Sequence, residues 1–201
     1  MKNGTFDSVT HAFFNSSAGR ITLQVGTTTS VINYQAVSAA IIDLLTVTNR
    51  TYQFSASSDS ATLDDNATAG DGVSKLTSVS TSTPTEFSRP STLMTIQTGD
   101  GNDSLTLSAV DSLFAASVSV TGDNGNDLLD ASAMTIKVSL QGNVGADTLK
   151  GGGGNDDLNG NSEDDSIDGG AGTDSIQGGA GNDALVGGAD NDTILGQGGN
   201  D

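Results

Sequence analysis

Residues 169–183 read GGAGTDSIQGGAGND, a nine-residue phrase completed once and then begun again. Glycine and aspartate are poor helix and strand formers, so a chain that repeats them holds a register for some reason other than propensity. Working outward, the sequence divides without gaps from Gly142 into GNVGADTLK, GGGGNDDLN, GNSEDDSID, GGAGTDSIQ, GGAGNDALV, GGADNDTIL and a final GQGGND. An aspartate falls at the sixth place every time: Asp147, Asp156, Asp165, Asp174, Asp183, Asp192 and Asp201. Two residues after each complete one stands Leu149, Leu158, Ile167, Ile176, Leu185 or Ile194. A solvated low-complexity tail has no cause to keep such a register.

The register reaches back beyond the glycine-rich part. TGDGNDSLT (98–106) carries Asp103 and Leu105, and GDNGNDLLD (122–130) carries Asp127 and Leu129. Seven residues before Asp103, Asp127 and Asp147 stand Ile96, Val120 and Leu140, and nine before stand Met94, Val118 and Val138. These are period-two strands running into glycine turns. The aspartate spacing falls from 24 to 20 to 9, which reads as wide coils of an all-β solenoid tightening into minimal ones. Three parts follow: an irregular β-rich lead-in at 1–92, wider coils at 93–141, and the nonapeptide part at 142–201.

Composition narrows the partner. Of 201 residues only 34% are hydrophobic and 4% aromatic, and the net charge is −18 from 25 acidic against 7 basic side chains. Residues 142–201 hold 18 of the 27 glycines, with twelve acidic groups against Lys150 alone. That balance argues against nucleic acid and anionic membranes and for a cation. No cysteine is present, which excludes disulfides, thiolate metal sites and cysteine nucleophiles. After Met1 and Lys2 no apolar signal-peptide core is visible, and no apolar run reaches membrane-spanning length.

A repeat orders nine residues around one Leu or Ile, and the glycines raise the entropic cost of that order. The apolar return from one side chain falls short, and stacked carboxylates repel. Calcium answers this shortfall, since it takes six to eight oxygens in a flexible shell and accepts carbonyls beside carboxylates.

The nonapeptides resemble the RTX calcium-binding repeats of hemolysin-type secreted proteins, Gly-Gly-x-Gly-x-Asp-x-apolar-x. The likeness is continuous over 142–201, with outlying copies at 98–106 and 122–130, and 169–177 and 178–186 fit at every fixed place. It implies a right-handed parallel β-roll or β-helix in which two nonapeptides make one flattened coil. Loops eighteen residues apart then lie over one another, one edge stacking Asp147, Asp165, Asp183 and Asp201 and the other Asp156, Asp174 and Asp192. Several calcium ions are implied, held by Asp103, Asp127 and the sixth-place aspartates from Asp147 to Asp201, together with the turn residues Gly151, Gly153, Gly169, Gly170, Gly172, Gly178, Gly179 and Gly181.

Departures from the motif grade the expected sites. Glu163 and Asp190 replace the fourth-place glycine, and Asn143, Asn161 and Gln197 the second. The pair 151–156 with 169–174 lacks no fixed glycine and is expected to be tightest, with weaker sites around 160–165 and 187–192.

The family also implies export through a type I channel and folding in extracellular calcium, hence an extracellular or cell-surface location. Its secretion signal follows the repeats, whereas this sequence stops at Asp201 within a repeat and so reads as a fragment. Export machinery or a surface partner is possible on this resemblance, with no membrane insertion. An adhesin or surface-layer spacer rod is the alternative role; a piece of an RTX enzyme without its catalytic domain ranks below it. No catalytic residue is expected: His11 is the lone histidine, and the neighbouring acids Asp64 and Asp65 are better explained by turns than by a glycosidase pair. In the lead-in, ITLQV, VINY, RTYQFSAS and LMTIQ read as strands, 36–47 as helix or buried strand, and TEFSR between Pro84 and Pro90 as a loop or edge.

Overall fold

The computed structural model describes residues 5–15, 18–25, 28–35, 41–43, 46–54, 59–65, 73–78, 85–88, 90, 92–108, 110, 114 and 116–201. Nineteen strands follow one another: β1 (Thr5–Asn15), β2 (Ala18–Val25), β3 (Thr28–Gln35), β4 (Ile41–Asp43), β5 (Thr46–Gln53), β6 (Ser60–Asp65), β7 (Val73–Ser78), β8 (Thr85–Ser88), β9 (Leu93–Gln97) and β10 (Ser104–Leu107). Then come β11 (Ser117–Asn124), β12 (Leu128–Asp130), β13 (Val138–Val144), β14 (Thr148–Gly152), β15 (Asp157–Ser162), β16 (Ser166–Ala171), β17 (Ser175–Ala180), β18 (Ala184–Ala189) and β19 (Thr193–Gly198). No helix occurs among the described residues, and the fold is an all-β solenoid of about five turns.

From β9 onward the chain alternates strand by strand between two sheets, which β5 and β6 begin. One runs β5-β9-β11-β13-β15-β17-β19 and the other β6-β10-β12-β14-β16-β18, every neighbouring pair parallel. Parallel strands need a crossover, and here each crossover is the opposite strand of the same coil. Asn49 pairs with Leu93, Met94 with Val118, Val118 with Val138 and Leu140 with Leu158. The coils therefore shorten from 44 residues through 24 and 20 to 18. The widest coil accommodates β7 and β8, which extend the second sheet antiparallel before β4 joins it. At the same end of the first sheet, β1 lies parallel to β5 while β2 and β3 continue antiparallel.

The core is two columns of apolar side chains, because alternate strand residues face inward. Ile96, Val120, Leu140, Leu158, Ile176 and Ile194 stack on one sheet, and Ala61, Leu105, Leu129, Leu149, Ile167 and Leu185 on the other. The apolar content is uneven along the axis. Residues 93–141 contribute Phe114, Met134 and eleven other buried hydrophobics, whereas 142–201 contribute only Leu149, Leu158, Ile167 and Ile176. Toward Asp201 the column opens, with Leu185 partly buried and Ile194 43% exposed.

In the nonapeptide part β14 is five residues long and β15 to β19 are six each. In β16 the buried positions are Ile167 and Gly169, so the strand runs past the apolar residue into the next turn. In the lead-in, the 36–47 stretch holds β4 and the start of β5, with 36–40 and 44–45 outside the described residues. TEFS forms β8, paired on both sides by β7 and β4 and therefore not an edge. The strand stops short of both prolines, so neither removes a donor from its ladder.

Candidate metal centre

Each sixth-place aspartate turns its side chain along the solenoid axis. Asp165 Oδ1 accepts the backbone N–H of Asp147 at 2.8 Å, and Asp183 Oδ1 accepts that of Asp165 at 2.9 Å. The same bond links Asp127 to Asp147, Asp103 to Asp127 and Asp183 to Asp201. On the other edge Asp174 Oδ1 receives the N–H of Asp156 and Asp192 Oδ1 that of Asp174. The two edges are thus ladders whose rungs are coils, and the aspartates group as the eighteen-residue spacing requires. Backbone bonds run alongside: Ser166 N–H donates to Asp147 O, Ser175 N–H to Asp156 O and Ala184 N–H to Asp165 O.

The first-place glycine is what lets the carboxylate lie there. A Cβ at Gly160 would stand 2.0 Å from Asp165 Oδ2, at Gly142 2.1 Å from Asp147 Oδ2, and at Gly178 2.2 Å from Asp183 Oδ2. The same holds at Gly151, Gly169, Gly187 and Gly196 for the aspartate five residues on. Carbonyls crowd the same space, Gly169 O at 2.2 Å from a Cβ on Gly151 and Gly187 O at 2.5 Å from one on Gly169. Any side chain in these positions fills the cradle.

The turn itself has a fixed conformation. In eight of the nine loops the second and fourth places both have positive φ, whatever residue stands there. Gly170, Gly172, Gly179 and Gly181 meet this without strain, while Asn143, Asn161, Glu163, Asp190 and Gln197 adopt φ between 73° and 81°. The missing glycines therefore leave the turn shape intact and charge it with strain. The exception is the loop 151–156, where neither Gly152 nor Gly154 has positive φ.

Burial makes the carboxylates costly. Asp103, Asp127, Asp147, Asp156, Asp165, Asp174 and Asp183 are 1–4% exposed. For Asp103, Asp127, Asp147, Asp165, Asp174 and Asp183, Oδ2 is buried and has no hydrogen-bond partner. Desolvation raises Asp103, Asp127 and Asp165 to about 6 and Asp147 to about 7, opposed by the backbone N–H each accepts and reinforced by neighbouring acids. Asp156 and Asp174 are raised for the same first reason. Rows of orphaned carboxylate oxygens beside backbone carbonyls are an oxygen donor set for a hard cation. Among the described residues no three acidic side chains converge on one point. A cation on either edge would therefore have to take its oxygens from one or two aspartates and from the carbonyls of the glycine turns.

The expected site residues divide by position. Gly151, Gly169 and Gly178 are cradle glycines; Gly170, Gly172, Gly179 and Gly181 are turn residues with positive φ; Gly153 is a third-place residue whose N–H donates to Met134 O at 2.7 Å. Asp192 is half-buried and Asp201 exposed at the open end. Loop 151–156, ranked first from its glycines, departs from the common turn because the segment 131–137 lies over it where other loops have a nonapeptide turn. Ile136 O stands 2.5 Å from a Cβ on Gly154 and Met134 O 2.4 Å from one on Gly152.

Three contributors escaped the sequence reading. Asp59 heads the first edge, its N–H donating to Asp103 Oδ1. Its only signal is Ala61 two residues later, aligned with Leu105. Thr98 replaces the first-place glycine, its hydroxyl donating to Gly122 O at 3.0 Å. The fifth place carries a second ladder in the opposite sense: Asn102 Oδ1 accepts the N–H of Asn126, Asn126 that of Ala146, Asn155 that of Thr173 and Asn182 that of Asn200. Asparagine or aspartate recurs at that place, which was the available signal.

Residues 139–167 and 168–201 match the family described as RTX calcium-binding nonapeptide repeat (4 copies). No curated protein and no solved structure matches the chain. Residues 139–201 are accordingly an RTX calcium-binding repeat segment.

Proposed function

We propose that this chain is the calcium-binding repeat segment of a secreted or cell-surface bacterial protein, and that its nonapeptide coils fold when calcium is bound. The observation that carries this is the row of buried, unpartnered Oδ2 atoms on Asp103, Asp127, Asp147, Asp165, Asp174 and Asp183. Calcium supplies the opposing charge and the coordination that these oxygens lack. Asp147, Asp165, Asp183 and Asp201 hold ions along the first edge and Asp174 and Asp192 along the second, with turn carbonyls completing each shell.

The thin core gives this binding its consequence. Four buried hydrophobics serve the sixty residues from 142 to 201, so most of the free energy that holds these coils comes from the cation. In low calcium the coils are open, a state compatible with passage through a secretion channel; in high calcium they close. The role is that of a calcium-stiffened rod and not of a catalyst: buried acids come one per loop along an edge. Use as a spacer within an adhesin or surface layer follows from the same rod, since parallel coils propagate along one axis.

A calcium titration of the full chain followed by circular dichroism tests the reading. The β signal should rise with calcium and fall when a chelator is added. An identical spectrum in excess EDTA overturns it.

A further inference from the structure

The loop 151–156 satisfies itself in a way no other loop does. Asp156 Oδ2 accepts the N–H of Gly152 at 2.8 Å and Oδ1 the N–H of Val138 at 2.8 Å. Both carboxylate oxygens thus have backbone donors, whereas Oδ2 of Asp103, Asp127, Asp147, Asp165, Asp174 and Asp183 has none. The cause lies one coil earlier. The second edge has no nonapeptide turn there, and residues 131–137 cross it instead, with Met134 N–H closing onto Ala131 O at 2.8 Å and Gly153 N–H onto Met134 O. Pressed by Met134 O, Gly152 gives up the positive φ of the second place, and its N–H meets the carboxylate. Two lysines mark the same seam, Lys137 paired with Asp157 at 2.6 Å and Lys150 with Asp130 at 3.1 Å.

We infer that Asp156 is not an ion ligand despite its place in the repeat, and that loop 151–156 is a metal-independent cap joining the calcium-dependent coils to the core of 93–141. Two N–H donors and a nearby lysine do for this carboxylate what a cation does for the others. The loop is also the point where the apolar support changes, since Met134, Val138 and Leu140 are buried on one side of it and one Leu or Ile per repeat on the other. Ion columns of unequal length result: the first edge runs unbroken from Asp59 to Asp201, while the second begins beyond Asp156. Folding on calcium then proceeds outward from this cap toward Asp201.

This rests on calcium binding as proposed above, and its test separates the two. Bound calcium is counted by isothermal titration of the full chain, the Asp156→Asn variant and the Asp174→Asn variant. D156N should bind as many ions as the parent chain and D174N at least one fewer; equal losses in both variants overturn the inference. No binding in the parent chain sinks the functional reading itself. Should D156N not fold, amide hydrogen exchange of the parent chain decides: the amides of Val138, Gly152 and Gly153 should stay protected in EDTA while those of Gly179 and Gly181 lose protection. Loss at all five together overturns the cap.

Discussion

Asp165 reaches back one coil to take the backbone N–H of Asp147 on Oδ1, at 2.8 Å, while its Oδ2 lies buried over Gly160 without a partner. One oxygen thus fixes the stacking of the coils, and the other, without a hydrogen-bond partner, is the proposed ligand. Replacement by asparagine separates the two duties, because the amide oxygen keeps the first and the charge needed for the second is lost. Asp165→Asn should raise the calcium midpoint by about tenfold or more, and Asp165→Ala, which loses the ladder bond too, should raise it further. Calcium titrations by circular dichroism order the three proteins, and equal midpoints for the parent chain and D165N would count against Oδ2 as a ligand.

Gly178 is a buried first-place glycine and Gly198 an exposed third-place one, and the space above them differs accordingly. A Cβ at Gly178 meets Asp183 Oδ2 at 2.2 Å and Gly196 O at 2.9 Å, whereas at Gly198 the nearest atom is Gly179 O at 3.6 Å. Gly178→Ala should therefore destabilise the calcium-loaded protein by about 1–3 kcal/mol, and Gly198→Ala should stay within about 0.5 kcal/mol of the parent chain. Denaturant unfolding in saturating calcium measures both.

Asp190 holds the fourth place at φ 78° with a side chain attached. Asp190→Gly removes that strain at the expense of a more flexible unfolded chain, leaving a gain of about 0.5–1 kcal/mol and a lower calcium midpoint. Glu163→Gly, at φ 73°, should gain less, because Glu163 Oε2 also accepts the N–H of Gly145 at 2.9 Å. Reversal of that order in thermal melts would show that strain is not the governing difference.

Protons compete with calcium for the same oxygens. Burial raises Asp103, Asp127 and Asp165 to about 6 and Asp147 to about 7 in the folded chain, against an ordinary value of 3.8. Such groups favour the calcium-free fold fully below about pH 4 and lose that contribution as pH rises through 6 to 7. Without calcium, order should accordingly decline from pH 4 toward pH 8. The calcium midpoint should move the other way, rising as pH falls from 7.5 to 5 because ligands must be deprotonated. Titrations at three pH values with one common midpoint would contradict this.

The nine-residue register, the two edges and the inward column of Leu and Ile were legible from residues 142–201, because a repeat that stacks on itself writes its contacts at a constant sequence interval. Where the interval changes, the reading weakened. Asp59 joins the ladder across 44 residues, and its neighbour Ala61 gives a faint apolar mark. The fate of Gly152 was equally hidden, since its repeat matches the motif at every fixed place and only the overlying Met134 carbonyl sets its backbone apart. Asn143, Asn161, Gln197, Glu163 and Asp190 kept the left-handed turn against their own preference, held by the coils above and below. Sequence by itself determined the period, the acidic edges and the likeness to calcium-binding repeats, all of which are properties of one repeat and its copy. Tertiary structure alone decided which carboxylates are orphaned and which are satisfied, because that depends on the backbone a coil away and not on the residues beside them in the chain.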